Sequence, residues 1–289
     1  MSDTYLVIGA GGAQGGAVAR RLLRDGHRVR GFGRTAAGPS GIEWAQGDLT
    51  DREAVRAAFD GVRRASVTLP MEFDPAVVAR FVDNIVAASG GLERLVFNTG
   101  NRVPASATGI AAFESKRDAA AAMLSCGVPA VVLRPPVYLD NLAAPWAREA
   151  LAGGVLPYPL PEDRRVAWLP HDDLGALTAA ALDRADLAGT AIDMGGKEEV
   201  TGPELASAFA GVLGREIRYV PVDPAAFEER LAPVLGAEVA AGVASTYRWL
   251  ATPEGAGLYE GDAGKVEALL GVGLTPLRTW IERHAGGAA

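Results

Sequence analysis

The chain has 289 residues, 49% of them apolar, and a net charge of −7 without any run of Lys and Arg. That length allows one large domain or two fused ones around a substantial core, and the acidic balance excludes the basic footprint of a nucleic-acid binder. Cys126 is the only cysteine, which excludes an internal disulfide and a Cys-rich metal site and sets a reducing compartment, by default the cytoplasm, as the expectation.

The opening MSDT runs into an apolar stretch ending in glycines, with neither the basic region nor the cleavage site of a secretory leader. No apolar segment approaches the roughly 20 residues that cross a bilayer. Neither a leader nor a membrane anchor is expected.

Apolar runs of strand character at 5–8, 28–32, 65–69, 94–97 and 130–133 alternate with helical spacing at 16–25, 52–59, 75–89 and 113–126. This alternation predicts an α/β fold with a doubly wound parallel sheet covered on both faces. Beyond Pro135, Pro and Gly accumulate. Helices are then predicted at 173–184, 203–213, 225–235, 238–249 and 275–284, and a strand at 190–194.

After the first strand, Gly9, Gly12 and Gly15 form the spacing G-x-x-G-x-x-G. They suit a tight turn, close approach of backbone to a pyrophosphate, and close packing of the following helix. A helix beginning near Gln14 aims free N–H groups and its positive dipole end at the phosphates. Glycines also serve tight turns for purely steric reasons, but strand, glycines, helix and second strand together form the context of a dinucleotide cradle. The expected division is therefore a Rossmann domain over residues 1–150 and a smaller, partly interleaved, α-rich substrate region over 151–289. Residues 171–195 are expected to return to the Rossmann sheet.

The second strand ends in VRGFGRTAAG, with no acid for a ribose 2′-hydroxyl but with Arg34 followed by Thr35. A guanidinium matches a 2′-phosphate in a bidentate way, so NADP(H) is the expected cofactor; the plainer alternative is a solvated arginine at a loop start. In GDLTD, Asp48 and Leu49 can meet an adenine ring, while Thr50 or Asp51 can cap the next helix. The two roles are compatible.

VIGAGGAQGGAVARRLL, Arg34, GDLTD, RLVFNTG, LRPPVYLDNL, HDDLGALTAAAL and VTGPELASAFAGVLGREIRYVPV together resemble the NmrA-like branch of the atypical short-chain dehydrogenase/reductase superfamily, from residue 6 to about 281. The resemblance implies an NADP-binding Rossmann sheet with a smaller C-terminal substrate region. It implies activities that include quinone, enone and phenylpropanoid ether reduction, and also regulators that bind the cofactor without catalysis. The cofactor residues it implies are Gly9, Gly12, Ala13, Gln14, Gly15, Arg34, Asp48, Leu49, Thr68, Leu69, Pro70 and Lys116.

One departure stands out: aligning AAFESKRDAAAAML on the Y-x-x-x-K of typical members puts Ala112 in the place of the tyrosine acid. Lys116 remains, to bind the nicotinamide ribose or, with its pKa lowered by burial, to relay a proton. The acceptor side is expected in loops at the carboxyl ends of the strands. These offer Met71 and Phe73, Asn98 to Asn101, and Tyr138 and Asn141.

Tyr138 is the phenol that can replace the missing acid, or a packed ring with a satisfied hydroxyl. His171 invites a general-base role, although Asp172 or Asp173 capping a helix explains the same segment. Trp146, Tyr158, Trp168, Tyr247 and Trp249 enrich the second half in aromatics, some as core and some, Trp168 among them, as lining of an apolar cleft. A flat or aromatic substrate suits them better than a sugar. Cys126 reads as a small buried hydrophobe.

The sequence thus predicts a monomeric or homodimeric NADPH-dependent reductase of a small apolar or aromatic quinone, enone or carbonyl substrate. Lys116 and Tyr138 are its candidate proton donors; no metal, nucleic-acid or membrane partner is expected. Two alternatives stay open: a non-catalytic NADP(H) redox sensor, and a non-redox cyclase or isomerase on the same fold.

Overall fold

In the computed structural model, which describes residues 3–285, the elements in chain order are β1 (Thr4–Ile8), α1 (Ala13–Arg24), β2 (Arg28–Gly33), β3 (Glu43–Gln46), α2 (Arg52–Phe59), β4 (Arg64–Thr68), α3 (Pro75–Ala88), β5 (Arg94–Asn98), α4 (Ala111–Leu124) and β6 (Ala130–Arg134). There follow α5 (Pro145–Ala152), β7 (Val155–Tyr158), α6 (His171–Asp183), β8 (Thr190–Asp193), α7 (Gly202–Leu213), β9 (Arg218–Pro221), α8 (Pro224–Leu235), α9 (Ala237–Leu250), α10 (Ala263–Leu270) and α11 (Leu277–His284).

Two units divide the chain. The first comprises the described residues up to Pro135 together with His171–Asp193 and Ala268–Val272. Its seven strands are all parallel, in the order β3-β2-β1-β4-β5-β6-β8. Strand order reverses between β1 and β4, and the carboxyl ends there form the crevice where open α/β sheets bind ligands. Leu6, Ile8, Ala65, Val67, Leu95 and Phe97 pack one face of the sheet against Val55, Phe81, Ile85 and Met123 from α2, α3 and α4. Such double-sided burial is why these strands read as continuous apolar runs.

On the same unit, α1 and α6 meet at Gly175, where a Cβ would stand 2.6 Å from the Ala17 carbonyl oxygen. Helix α6 begins at His171, two residues before the predicted start, so Asp172 and Asp173 lie inside its first turn and do not cap it. Asp51 caps α2 through Glu53 N and Ala54 N, and Asp74 caps α3 ahead of Pro75.

The second unit holds Pro136–Pro170, Met194–Glu267 and the described residues from Gly273 onward. Residues 136–150 therefore go with this unit and not with the first. Strands β7 and β9 pair in parallel. A capping box of Thr201 and Glu204 starts α7, and Gly214 in the left-handed region ends it. Tyr158, Trp168, Phe209, Phe227, Tyr247 and Trp280 belong to its core.

Strands β7 and β9 and helices α5 and α10 have no counterpart among the predicted elements. Among the described residues no helix is long and apolar enough to cross a membrane, and no cluster of His, Cys, Asp and Glu could hold a metal ion.

Candidate functional site

The turn after β1 has room for backbone only. Gly9 has φ +84°, and a Cβ on it would lie 2.6 Å from the Thr68 carbonyl oxygen of the neighbouring strand. A Cβ on Gly15 would lie 2.2 Å from the Gly9 carbonyl oxygen. The turn is closed by Gly12 N donating to Gly9 O at 2.9 Å and by Gly16 N donating to Gly12 O at 2.8 Å. Gly12 caps α1 without a side chain, and the first turn contains no acid. A helix start left uncapped by any side chain, with its dipole uncancelled, attracts an anion.

Gln14 is held from the other side. Asn98, at the carboxyl end of β5 and 3% exposed, donates from Nδ2 to Gln14 Oε1 at 2.8 Å and to Thr68 Oγ1 at 3.4 Å. Its Oδ1 accepts from Gly100 N at 2.8 Å. With the amide engaged at both ends and nearly covered, Asn98 ties the glycine turn to β5. Thr99 Oγ1 donates to the carbonyls of Asn101 and Leu133 and ties the same loop to β6.

The Arg34 side chain is exposed and makes no hydrogen bond or ion pair among the described residues, while its carbonyl accepts from Gln46 Nε2 at 2.8 Å. Asp48 Oδ1 accepts from Thr50 N at 2.8 Å and Thr50 Oγ1 at 2.7 Å. These bonds, with a smaller pull from Arg34, hold the carboxyl below its ordinary pKa. Leu49 is buried in the core, and its carbonyl accepts from Asn84 Nδ2. Its side chain is thus committed to packing, and of the Asp48–Leu49 pair the carboxylate is the more accessible group.

Thr68 and Leu69 are half-buried and Pro70 is exposed. Met71 is 58% exposed and Phe73 half-buried, in a loop that Glu72 braces by accepting from Phe73 N and Asp74 N.

Lys116 lies on α4, one turn after the buried Ala112. It is half-buried, without a hydrogen bond or ion pair among the described residues, and burial lowers its pKa to about 8. Glu114 accepts from Thr108 N at 2.7 Å and from Arg117 Nε at 3.0 Å. It thereby pins the loop ahead of α4, and its own pKa falls to about 2.

In the second unit, Tyr138 is 4% exposed and bridges to Leu169. Asn141 Nδ2 donates to the Tyr158 hydroxyl at 3.1 Å, and the Tyr158 and Tyr247 hydroxyls share a hydrogen at 2.7 Å. Burial pushes the Tyr158 phenol up to about 12. Trp168 stands edge-on to Tyr158 at 4.8 Å, and Trp146, 37% exposed, edge-on to Phe227 at 6.2 Å. Tyr158, Trp168 and Tyr247 are therefore core. His171 is 9% exposed at the start of α6 in the first unit.

The first unit brings the glycine turn, Gln14, Thr68 and Asn98 into one bonded group. Gln46, opposite Gly33 in the β2–β3 register and bonded to the Arg34 carbonyl, is a residue that the sequence alone does not mark.

The chain matches the model of the NmrA-like family over residues 1–276. It is 30% identical, over 97% of both chains, to a (4-alkanoyl-5-oxo-2,5-dihydrofuran-3-yl)methyl phosphate reductase of Streptomyces griseus. It is 26% identical to an NAD(P)H azoreductase of Xenophilus azovorans, covering 75% of this chain and 76% of that one. An Escherichia coli NADPH-dependent quinone oxidoreductase, solved with NADPH, superposes with a TM-score of 0.77 at 21% identity, over 97% of this chain and 99% of that one. The chain belongs to the NmrA-like family.

Proposed function

We propose that this protein is an NADPH-dependent reductase of a small apolar acceptor whose double bond is conjugated to an oxygen or nitrogen, a quinone or enone above all. The observation that carries it is the cradle after β1. Side chains are excluded there at Gly9 and Gly15, and the first turn of α1 carries no acid, as a pyrophosphate requires. NADPH supplies the hydride when bound.

Gly9, Gly12, Ala13, Gln14 and Gly15 would hold the diphosphate, Arg34 the 2′-phosphate, and Asp48 with 68–70 the rest of the adenosine and the nicotinamide side. Lys116 Nζ, ionised at neutral pH but with its pKa at about 8, is the group matched to protonating an enolate or hydroquinone anion. Reduction of a conjugated acceptor spreads the new charge, so it tolerates Ala112 in place of a phenol. An isolated ketone would need an acid at its alkoxide.

The relatives support the conjugated acceptor, and the first one's substrate name also carries a phosphate ester. The substrate name of the Streptomyces griseus enzyme describes a ring double bond bearing an acyl group beside a ring oxo group, and the Xenophilus enzyme is an azoreductase that uses NAD(P)H. The buried Ala112 is the one feature that favours a cofactor sensor without turnover. Calorimetric titration with NADPH and NADH tests the cradle: tight NADPH binding is expected, and binding of neither would sink the proposal.

A further inference from the structure

A guanidinium can select a phosphate when its backbone is held and its own nitrogens are unspent, and loop 34–42 meets both conditions. Gln46, the last residue of β3, donates from Nε2 to the Arg34 carbonyl at 2.8 Å. Trp44, two residues earlier and so on the same face of the strand, lies against the loop. A Cβ on Gly38 would stand 2.9 Å from its ring and equally close to the Ala10 carbonyl oxygen. The Ala37 carbonyl oxygen is 2.5 Å from where a Cβ on Gly11 would be. Loop and glycine turn thus interlock, backbone against backbone, with the indole beside them. The Arg34 side chain remains exposed, without a hydrogen bond or ion pair among the described residues, and Asp48, whose Oδ1 is held by Thr50, exerts only a minor pull on it.

Resting on the NADPH reading above, we infer that Gln46 and Trp44 are positioning residues for dinucleotide choice, setting the Arg34 loop against the glycine turn so that a 2′-phosphate is met by an already ordered site. Ordering the loop beforehand removes that cost from binding. The gain is confined to the ligand that carries the phosphate, because NADH makes no call on the guanidinium.

The test is a double-mutant cycle. Dissociation constants for NADPH and NADH are measured calorimetrically on wild type, Gln46→Met, Arg34→Ala and the Arg34→Ala/Gln46→Met pair. Gln46→Met, altered at an exposed side chain, is expected to weaken NADPH about three- to tenfold, the scale of one lost hydrogen bond, and to leave NADH within about twofold. In the Arg34→Ala background Gln46→Met should have no further effect.

Equal losses for both dinucleotides, or full additivity with Arg34→Ala, would overturn the inference. Wild type binding neither dinucleotide defeats the NADPH reading itself, whereas tight NADPH binding unchanged in Gln46→Met defeats this inference alone.

Discussion

The side-chain amide of Asn98 reaches across 2.8 Å to Gln14 Oε1, joining the carboxyl end of β5 to the first turn of α1. Two strands and a helix start are tied by one residue, since Thr68 Oγ1 is its second acceptor. Asn98→Leu should therefore weaken NADPH and NADH alike, by about 1–2 kcal/mol. Calorimetric titration of both cofactors checks it, and a loss for NADPH alone would contradict it.

Arg34→Ala acts on one dinucleotide. Removal of a charge-assisted hydrogen bond should cost NADPH about 1.5–3 kcal/mol and spare NADH. Equal losses for both would remove Arg34 from the phosphate site.

Gly15→Ala puts a methyl group 2.2 Å from the Gly9 carbonyl oxygen. The turn must open, so thermal unfolding should fall by about 3 kcal/mol or more of stability and dinucleotide binding should disappear. Gly90→Ala, with nothing within 4 Å of the added Cβ, is the control and should unfold like wild type.

Lys116 links activity and stability to pH. Its pKa of about 8 in the folded chain lies below the roughly 10.4 of an unfolded lysine. Between the two the unfolded chain binds the extra proton, so stability rises as pH climbs from about 8 to about 10.5. Lys116→Met should erase that rise and gain about 1–3 kcal/mol at pH 7, as read by urea unfolding at pH 7 and pH 10. Turnover that takes its proton from Nζ should decline as pH passes about 8, and Lys116→Arg should slow it at every pH.

The alternation of strands and helices up to β6 was legible because β1, β4, β5 and β6 are largely buried on both faces and each helix spans at least two turns. The glycine turn was legible because its constraint is local. Edge strand β3, with half-exposed or exposed residues throughout, has no such pattern, and the role of Gln46 depends on its register with Gly33, which no periodicity encodes. Asn98 could be placed at a strand end from the sequence, but its bonds to Gln14 and Gly100 are long-range and turn contacts that no periodicity encodes. The aromatics of the second half could be counted from the sequence, but their burial around the Tyr158–Tyr247 pair is a long-range outcome of packing.

On the proposed reading, hydride leaves a cofactor held in this cradle and reaches a conjugated acceptor. The direct measurement is NADPH oxidation, followed at its own absorbance, with a panel of quinones, enones and simple ketones added to the purified protein. Oxidation that depends on a quinone or enone, exceeds that with any simple ketone and is lost in Lys116→Met is the predicted result. NADPH that binds tightly yet is oxidised by none of these acceptors would contradict it.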